Sequence, residues 1–195
     1  MKKINVIGMF FAVFLVSGCA SNGYQTARDA FDRGDYDTAV KEFKALADQN
    51  DPKGQFGLAI MYDLGEGVPQ SSENAFKYYK AAAEQGYADA QNNLAAMYDE
   101  GEGVEVDHKE ALKWYRLAAE NGNKDAPNNI GVMYMIGLGV PRNFAAAHKW
   151  FTLAGASDVE ARSNKKFCET RLTPDQIAES ELFVKEWNQK FRKAN

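Results

Sequence analysis

The chain has 195 residues, 45% of them hydrophobic and 26% charged, with a formal net charge of −4. Twelve Phe, nine Tyr and three Trp exclude a largely disordered chain, and only 16 Gly, 5 Pro and 2 Cys exclude collagen-like and disulfide-dense folds. The acidic balance supplies no electrostatic footprint for nucleic acid, so no nucleic-acid partner is expected.

Residues 1–18 read as an address. Lys2 and Lys3 precede an apolar run from Ile4 to Val16 that is interrupted only by Asn5 and Gly8. Such a run is too short to cross ~30 Å of hydrocarbon and fits the apolar core of a secretory signal peptide. It ends in Val16-Ser17-Gly18-Cys19, which resembles the bacterial lipobox. The resemblance implies cleavage before Cys19, a diacylglycerol on its sulfur and an acyl chain on its new amino group. It therefore predicts a membrane contact made through the lipid on Cys19, with each buried CH₂ contributing ~0.8 kcal/mol. Loss of Lys2 and Lys3 would take the formal charge from −4 to −6, so the body itself has no attraction to anionic lipid. By the same resemblance, Ala20 after the Cys favours the outer membrane of a Gram-negative cell, facing the periplasm. Residues 19–23 read as the lipidated Cys and a short linker. With Cys19 acylated, Cys168 has no intramolecular partner and reads as a buried, inert thiol.

Residues 24–50 contain Ala27, Phe31, Gly34-Asp35-Tyr36, Ala39, Phe43 and Ala47. This resembles a tetratricopeptide unit and predicts an N-terminal helix-pair cap. Three copies of a 36-residue pattern follow, at 51–87, 88–123 and 124–158. Met61-Tyr62, Met97-Tyr98 and Met133-Tyr134 recur in register. So do Gly65-Glu66-Gly67-Val68, Gly101-Glu102-Gly103-Val104 and Gly137-Leu138-Gly139-Val140, and the aromatic pairs Tyr78-Tyr79, Trp114-Tyr115 and Trp150-Phe151. In the second copy, Ala90, Leu94, Met97 and Tyr98 have helical spacing and predict helix A over about 89–99. Ala111, Trp114, Tyr115 and Ala118 share one face of helix B over about 109–121. The Gly-x-Gly-Val segment separates the two, and Gly86 and Gly122 follow helix B at C′.

This pattern resembles the Sel-1-like repeat, a relative of the tetratricopeptide repeat. The resemblance implies an all-α, right-handed α-solenoid of antiparallel helix pairs in which neighbouring units stack to bury the core. Residues 159–195 read as C-terminal capping helices. Within them Thr173-Pro174-Asp175-Gln176 forms a helix start with a capping box, and Ile177, Leu182, Phe183 and Trp187 mark an apolar stripe running to about Arg192. This last helix is expected to cover the open face of the final repeat.

The chemistry-bearing residues are few. The Gly-x-Gly-Val segments follow helices rather than strands, so a dinucleotide loop fails its context. His108 and His148 have no metal-ligand spacing, and the acidic residues Asp99, Glu100, Glu102, Glu105 and Asp107 lack the ligand order of a calcium loop. No cofactor, metal or catalytic residue is expected. Some cysteine-rich Sel-1-like proteins handle β-lactams, and Ser163-Asn164-Lys165-Lys166 matches Ser-x-x-Lys, which keeps a β-lactamase-like or other envelope hydrolase as an alternative. No Ser-Asp-Asn or Lys-Thr-Gly accompanies it.

The favoured expectation is a lipid-anchored scaffold that holds an envelope protein or peptide on its concave face. The A-helix positions Phe56, Ile60, Asp63, Asn92, Ala96, Asp99, Asn128, Val132 and Met135 would line the groove. Asn92 and Asn128, one period apart, would clamp a peptide backbone. A broad-specificity assembly chaperone is the second alternative.

Overall fold

The structure, a computed structural model, describes residues 19–155 and 158–191. The signal peptide expected over 1–18 and the helix end expected near Arg192 lie outside the described residues. Among these there are ten helices: α1 (Cys19–Asp32), α2 (Tyr36–Asp48), α3 (Pro52–Leu64), α4 (Ser72–Glu84), α5 (Ala88–Glu100), α6 (His108–Glu120), α7 (Ala126–Ile136), α8 (Phe144–Ala154), α9 (Val159–Glu169) and α10 (Pro174–Phe191). Odd-numbered helices from α1 to α7 are the A helices and even-numbered ones from α2 to α8 the B helices. Residues 19–23, expected as a linker, are instead the first turn of α1. No helix among the described residues is long and apolar enough to cross a membrane.

The starts and stops follow from local chemistry. Asp51, Ser71, Asp107, Asn143 and Asp158 each cap a helix N-terminus, accepting from backbone N–H groups at 2.8–3.2 Å. Thr173 and Gln176 close the expected capping box in both directions, at 3.3 and 3.0 Å. The A helix of each of the three repeats ends on a left-handed glycine (Gly65, Gly101, Gly137) whose N–H returns to the carbonyl of Met61, Met97 or Met133.

Equivalent residues fill equivalent places. Leu58, Leu94 and Ile130 are buried, as are Met61, Met97 and Met133, and Ala75, Ala111 and Ala147. In each aromatic pair the second ring (Tyr79, Tyr115, Phe151) enters the core of its own unit. The first ring works between neighbours. Tyr78 packs against the cores of both the cap and the first repeat while stacking on Tyr62 of its own unit at 5.7 Å, and Trp114 joins the cores of the first two repeats.

Units meet through a close backbone approach that only glycine permits. The second glycine of each loop (Gly67, Gly103, Gly139) has φ of +72°, +69° and +66°. It sits against the first residue of the preceding B helix: Tyr36, Ser72 and His108 in turn. A Cβ at Gly67 would lie 2.9 Å from the Tyr36 carbonyl oxygen, and one at Gly139 would lie 2.5 Å from that of His108. A side chain would push the two units apart.

A second link is made of amides. Gln55 on α3 accepts from Gln85 at the end of α4 (2.7 Å), and Gln91 on α5 accepts from Asn121 at the end of α6 (2.9 Å). Each glutamine also reaches back one unit. Gln55 donates to Asn50 (2.9 Å) and Gln91 to the Ala83 carbonyl (3.0 Å). Pro127 occupies this place in the third repeat and has no amide side chain to continue the relay.

The C-terminal end departs from the expectation. The last repeat is closed by α9, which sits where a further A helix would stand and packs Ala161 and Cys168 against Ala147 and Phe151. The longer α10 instead turns back along α8. Trp187 meets Trp150 at 5.0 Å and Phe183 meets it at 5.4 Å, while Lys149 pairs with Glu179 at 3.0 Å. Edge-to-face ring pairs add ~0.5–1.5 kcal/mol each beyond their burial. Ser180 is the fully buried contact, whereas Leu182, expected on the apolar stripe, is 55% exposed.

Two glycine variants separate backbone strain from contact. Gly122 has φ +91° with open space around its missing Cβ, so Gly122→Ala should cost about 1 kcal/mol in urea denaturation. Gly139→Ala adds the collision with the preceding unit and should cost about 3 kcal/mol. Equal costs would show that the unit-to-unit approach carries no constraint.

Candidate functional site

On the A side of the array, α1 contacts α3 and α7 contacts α9 directly. On that side, near the N-terminal end, three units together form a cavity of about 340 Å³. Its walls come from Tyr24, Arg28 and Phe31 of α1, from Phe56 and Ile60 of α3, and from Tyr87 before α5. Gly57 lies at its base because the Phe43 ring of α2 occupies the space a Cβ would need. Phe56 bridges Tyr87 at 5.0 Å and Tyr79 at 5.8 Å, which fixes its ring. Burial pushes the Tyr87 phenol up to about 12, with Tyr24 and Asp89 adding and Arg28 opposing. The result is an aromatic floor with Arg28, Asp32 and Asp89 at the rim, on the scale of a pocket for one large apolar side chain.

The nine expected groove residues divide. Phe56 and Ile60 line the cavity. Asp63 accepts from the Tyr79 hydroxyl at 3.3 Å, and Asp99 holds His108 Nδ1 at 2.6 Å, so both are tied to their own unit's B helix. Ala96, Val132 and Met135 are half-buried and pack onto the cores. The asparagine clamp does not present itself as two free amides. Asn92 Oδ1 accepts from Asn129 of the next unit at 3.1 Å, and Asn128 is nine-tenths buried. What periodicity missed was the contribution of Tyr24, Arg28 and Tyr87, whose only signal was their aromatic or charged character at unit boundaries.

The catalytic candidates are placed as well. Ser163 and Lys166 are both exposed on α9 and line neither large cavity. Cys168 is fully buried, and burial pushes its thiol up to about 11, far from thiolate chemistry at neutral pH. Asp99 and Asp107 of the acidic loop are spent on His108 and on capping α6, and no metal-holding cluster occurs among the described residues. A second cavity of about 540 Å³ lies between the α6–α7 turn and the end of α10, near Glu120, Asp125, Asp158 and Trp187. Neither cavity is lined by Ser, Thr, Cys or His, so neither offers a side-chain nucleophile with an imidazole base.

Sequence reasoning also missed a buried polar chain. His148 Nδ1 lies 2.7 Å from Ser180 Oγ, and its Nε2 lies 3.3 Å from Glu169 Oε1. A neutral ring protonated on Nε2 donates to Glu169 and accepts from the Ser180 hydroxyl, which satisfies all three groups. His148 is 1% and Ser180 0% exposed, so no substrate reaches this hydroxyl. The chain's work is to pin α10 to α8.

These helix pairs, stacked through periodic glycine contacts, define an α-solenoid of short repeats. The Sel1 repeat model matches residues 52–87, 88–123 and 125–159, more than half of the chain, and the protein belongs to that family. Among solved structures it resembles a Sel1 repeat protein from Oxalobacter formigenes, with 26% identity and a TM-score of 0.72, over 91% of this chain and 76% of that one. It also resembles c5321, a protective antigen of uropathogenic Escherichia coli with the same repeat fold, with 27% identity and a TM-score of 0.51 over 90% of this chain. The match spans about half (46%) of c5321. None of the curated proteins resembles the chain closely enough to count as a relative. Sel1 repeat folds are typical of protein–protein interaction scaffolds.

Burial lowers the His148 pKa below its usual 6.5, helped by Lys165 and opposed by the Glu169 hydrogen bond. The folded state therefore resists a proton that the unfolded state accepts. This contribution to stability is whole above pH 6.5 and is lost as pH falls through the depressed folded value. Denaturation at pH 7.5, 6.5 and 5.5 should show a slope below 6.5 that shrinks in His148→Gln. An unchanged slope would contradict the neutral tautomer.

Proposed function

We propose that this chain is a lipid-anchored scaffold of the bacterial cell envelope that captures a protein partner by an extended peptide segment on its A-helix face. The observation that carries the reading is the aromatic cavity built jointly by the cap and first repeat. It is concave, floored by aromatic rings, rimmed by Arg28, Asp32 and Asp89, and lined by no nucleophile–imidazole pair. A large apolar side chain of the peptide fills it, and Arg28, Asp32 and Asp89 read the residues alongside. Rigid stacked helices keep the cavity formed before binding, so little ordering entropy is spent on the protein side.

The anchor is the lipid on Cys19, supported by the order of basic start, apolar run, small residues and Cys in residues 1–19. Cys19 stands at the start of α1, the helix that also supplies Tyr24, Arg28 and Phe31 to the cavity. Anchor and binding site are therefore joined by a single helix, which holds the captured segment close to the bilayer surface. The proposed location is the outer membrane, with the solenoid on the periplasmic side.

Random-peptide display on residues 19–195 should recover sequences with a recurrent large apolar residue. Ile60→Lys, which puts a charge into the cavity wall, should weaken their binding at least about tenfold by fluorescence anisotropy. Unchanged affinity would remove the cavity from the account. For the anchor, cells fed an alkyne analogue of palmitate should label the parent chain and not Cys19→Ser, and the variant should leave the membrane fraction. Label or membrane association retained in Cys19→Ser would contradict the anchor.

A further inference from the structure

The end of the array shows a second interaction surface, independent of the groove. Every A helix before α9 is covered by the B helix of its own unit: α1 by α2, α3 by α4, α5 by α6 and α7 by α8. After α9 the chain turns at 170–173, and α10 runs back along α8 instead of covering α9. The face of α9 opposite the buried Ala161 and Cys168 stays open. It carries Val159, Ser163, Lys166 and Thr170, with Phe167 at its edge. Val159 is 68% and Phe167 46% exposed, high values for large apolar residues.

Cations flank this face with rings rather than carboxylates as their partners. The Arg171 guanidinium lies 3.8 Å from the Phe167 ring centre and 5.2 Å from that of Phe144, and Arg142 lies 5.5 Å from Phe144. Among the described residues, no carboxylate lies within ion-pairing distance of Arg142, Lys166 or Arg171. The setting makes this unusual. Residues 51–158 carry 15 acidic and 9 basic side chains, whereas residues 159–172 carry Arg162, Lys165, Lys166 and Arg171 against Glu160 and Glu169. Basic charge gathers where the array stops.

We propose that the open face of α9 docks an amphipathic partner helix with acidic flanks, seated where a B helix would otherwise stand. The space left is helix-shaped, because each preceding A helix receives one there. Val159 and Phe167 are two turns apart, about 12 Å along the axis, and match apolar residues at the same spacing on an incoming helix. Arg142, Lys166 and Arg171 flank them and select carboxylates. An anionic bilayer or nucleic acid fits less well, since the neighbouring repeats are acidic and would repel an extended polyanion.

The test places a photo-crosslinking amino acid at position 159 of the full chain in the cells that produce it, and sequences the crosslinked segment by mass spectrometry. The proposal expects a segment of a different protein with helically spaced apolar residues and acidic flanks. Its yield should fall about tenfold when Arg142→Glu and Lys166→Glu are combined, and should stay unchanged in Ile60→Lys. The neutral pair Arg142→Gln and Lys166→Gln, which adds no repulsion, should reduce it to a lesser degree and serves if the reversal harms folding. Crosslinks to a second copy of this chain, to lipid, to nucleic acid or to residues 1–18 or 192–195 of the same chain would overturn the proposal. So would a segment without acidic flanks, the absence of any crosslink, or a yield insensitive to both pairs.

Discussion

Register between units rests on one contact: the second glycine of each loop against the first turn of the preceding B helix. Gly67, Gly103 and Gly139 make it at the same place in three successive units. Positive φ and lack of space act together, so glycine is required twice over at each. With the loops held there, Met61, Met97 and Met133 and the rings of Tyr79, Tyr115 and Phe151 arrive at matching depths in the core. The amide relay of Gln55 and Gln91 spans the same boundaries from the other end of the helices. At the first two boundaries these two separated points of contact fix both distance and twist, and nearest-neighbour contacts are all that a solenoid has.

The A helices of cap and first repeat come close enough for Tyr24, Phe31, Phe56 and Tyr87 to share one cavity. The same register that buries the small alanines leaves these larger rings half-covered, and the cap supplies the wall that the first repeat alone would lack. Farther along, the A face changes character. Asn92 bonds to Asn129, Asn128 is buried, and Asp63 and Asp99 are held by their own B helices. The N-terminal end thus presents an open aromatic cavity, and the middle is stiffened by its own polar pairs. At the far end, α10 is fastened to the outside of α8 through Trp150 and His148, which leaves α9 as the terminal layer.

Much of this was legible in the chain because the repeat multiplies each signal threefold. The helices of the repeats, their glycine stops and the core positions Leu94, Met97 and Ala111 all follow from period and spacing, and in the second copy α5 and α6 differ from the expected bounds by a single residue at each end. Thr173 and Gln176 were readable as a capping box because the box is local. What could not be read depends on partners far apart in sequence. His148 and Ser180 are 32 residues apart, and nothing near either announces the other. Asn92 looked free because its partner, Asn129, belongs to the next unit. The exchange of roles between α9 and α10 was hidden for a similar reason: an apolar stripe on α10 states that it packs, and only Trp150 decides where. The cavity drew on residues from three units, of which only Phe56 and Ile60 fell on the repeating positions.

The central claim is that the A face of the cap and first repeat is a preformed peptide site. Hydrogen exchange on residues 19–195, with and without a peptide recovered by display, tests it directly. The account predicts added protection in α1, α3 and the α4–α5 turn around Tyr87, with exchange in α7, α8 and α9 unchanged. Protection confined to the C-terminal helices, or spread evenly over the array, would contradict it.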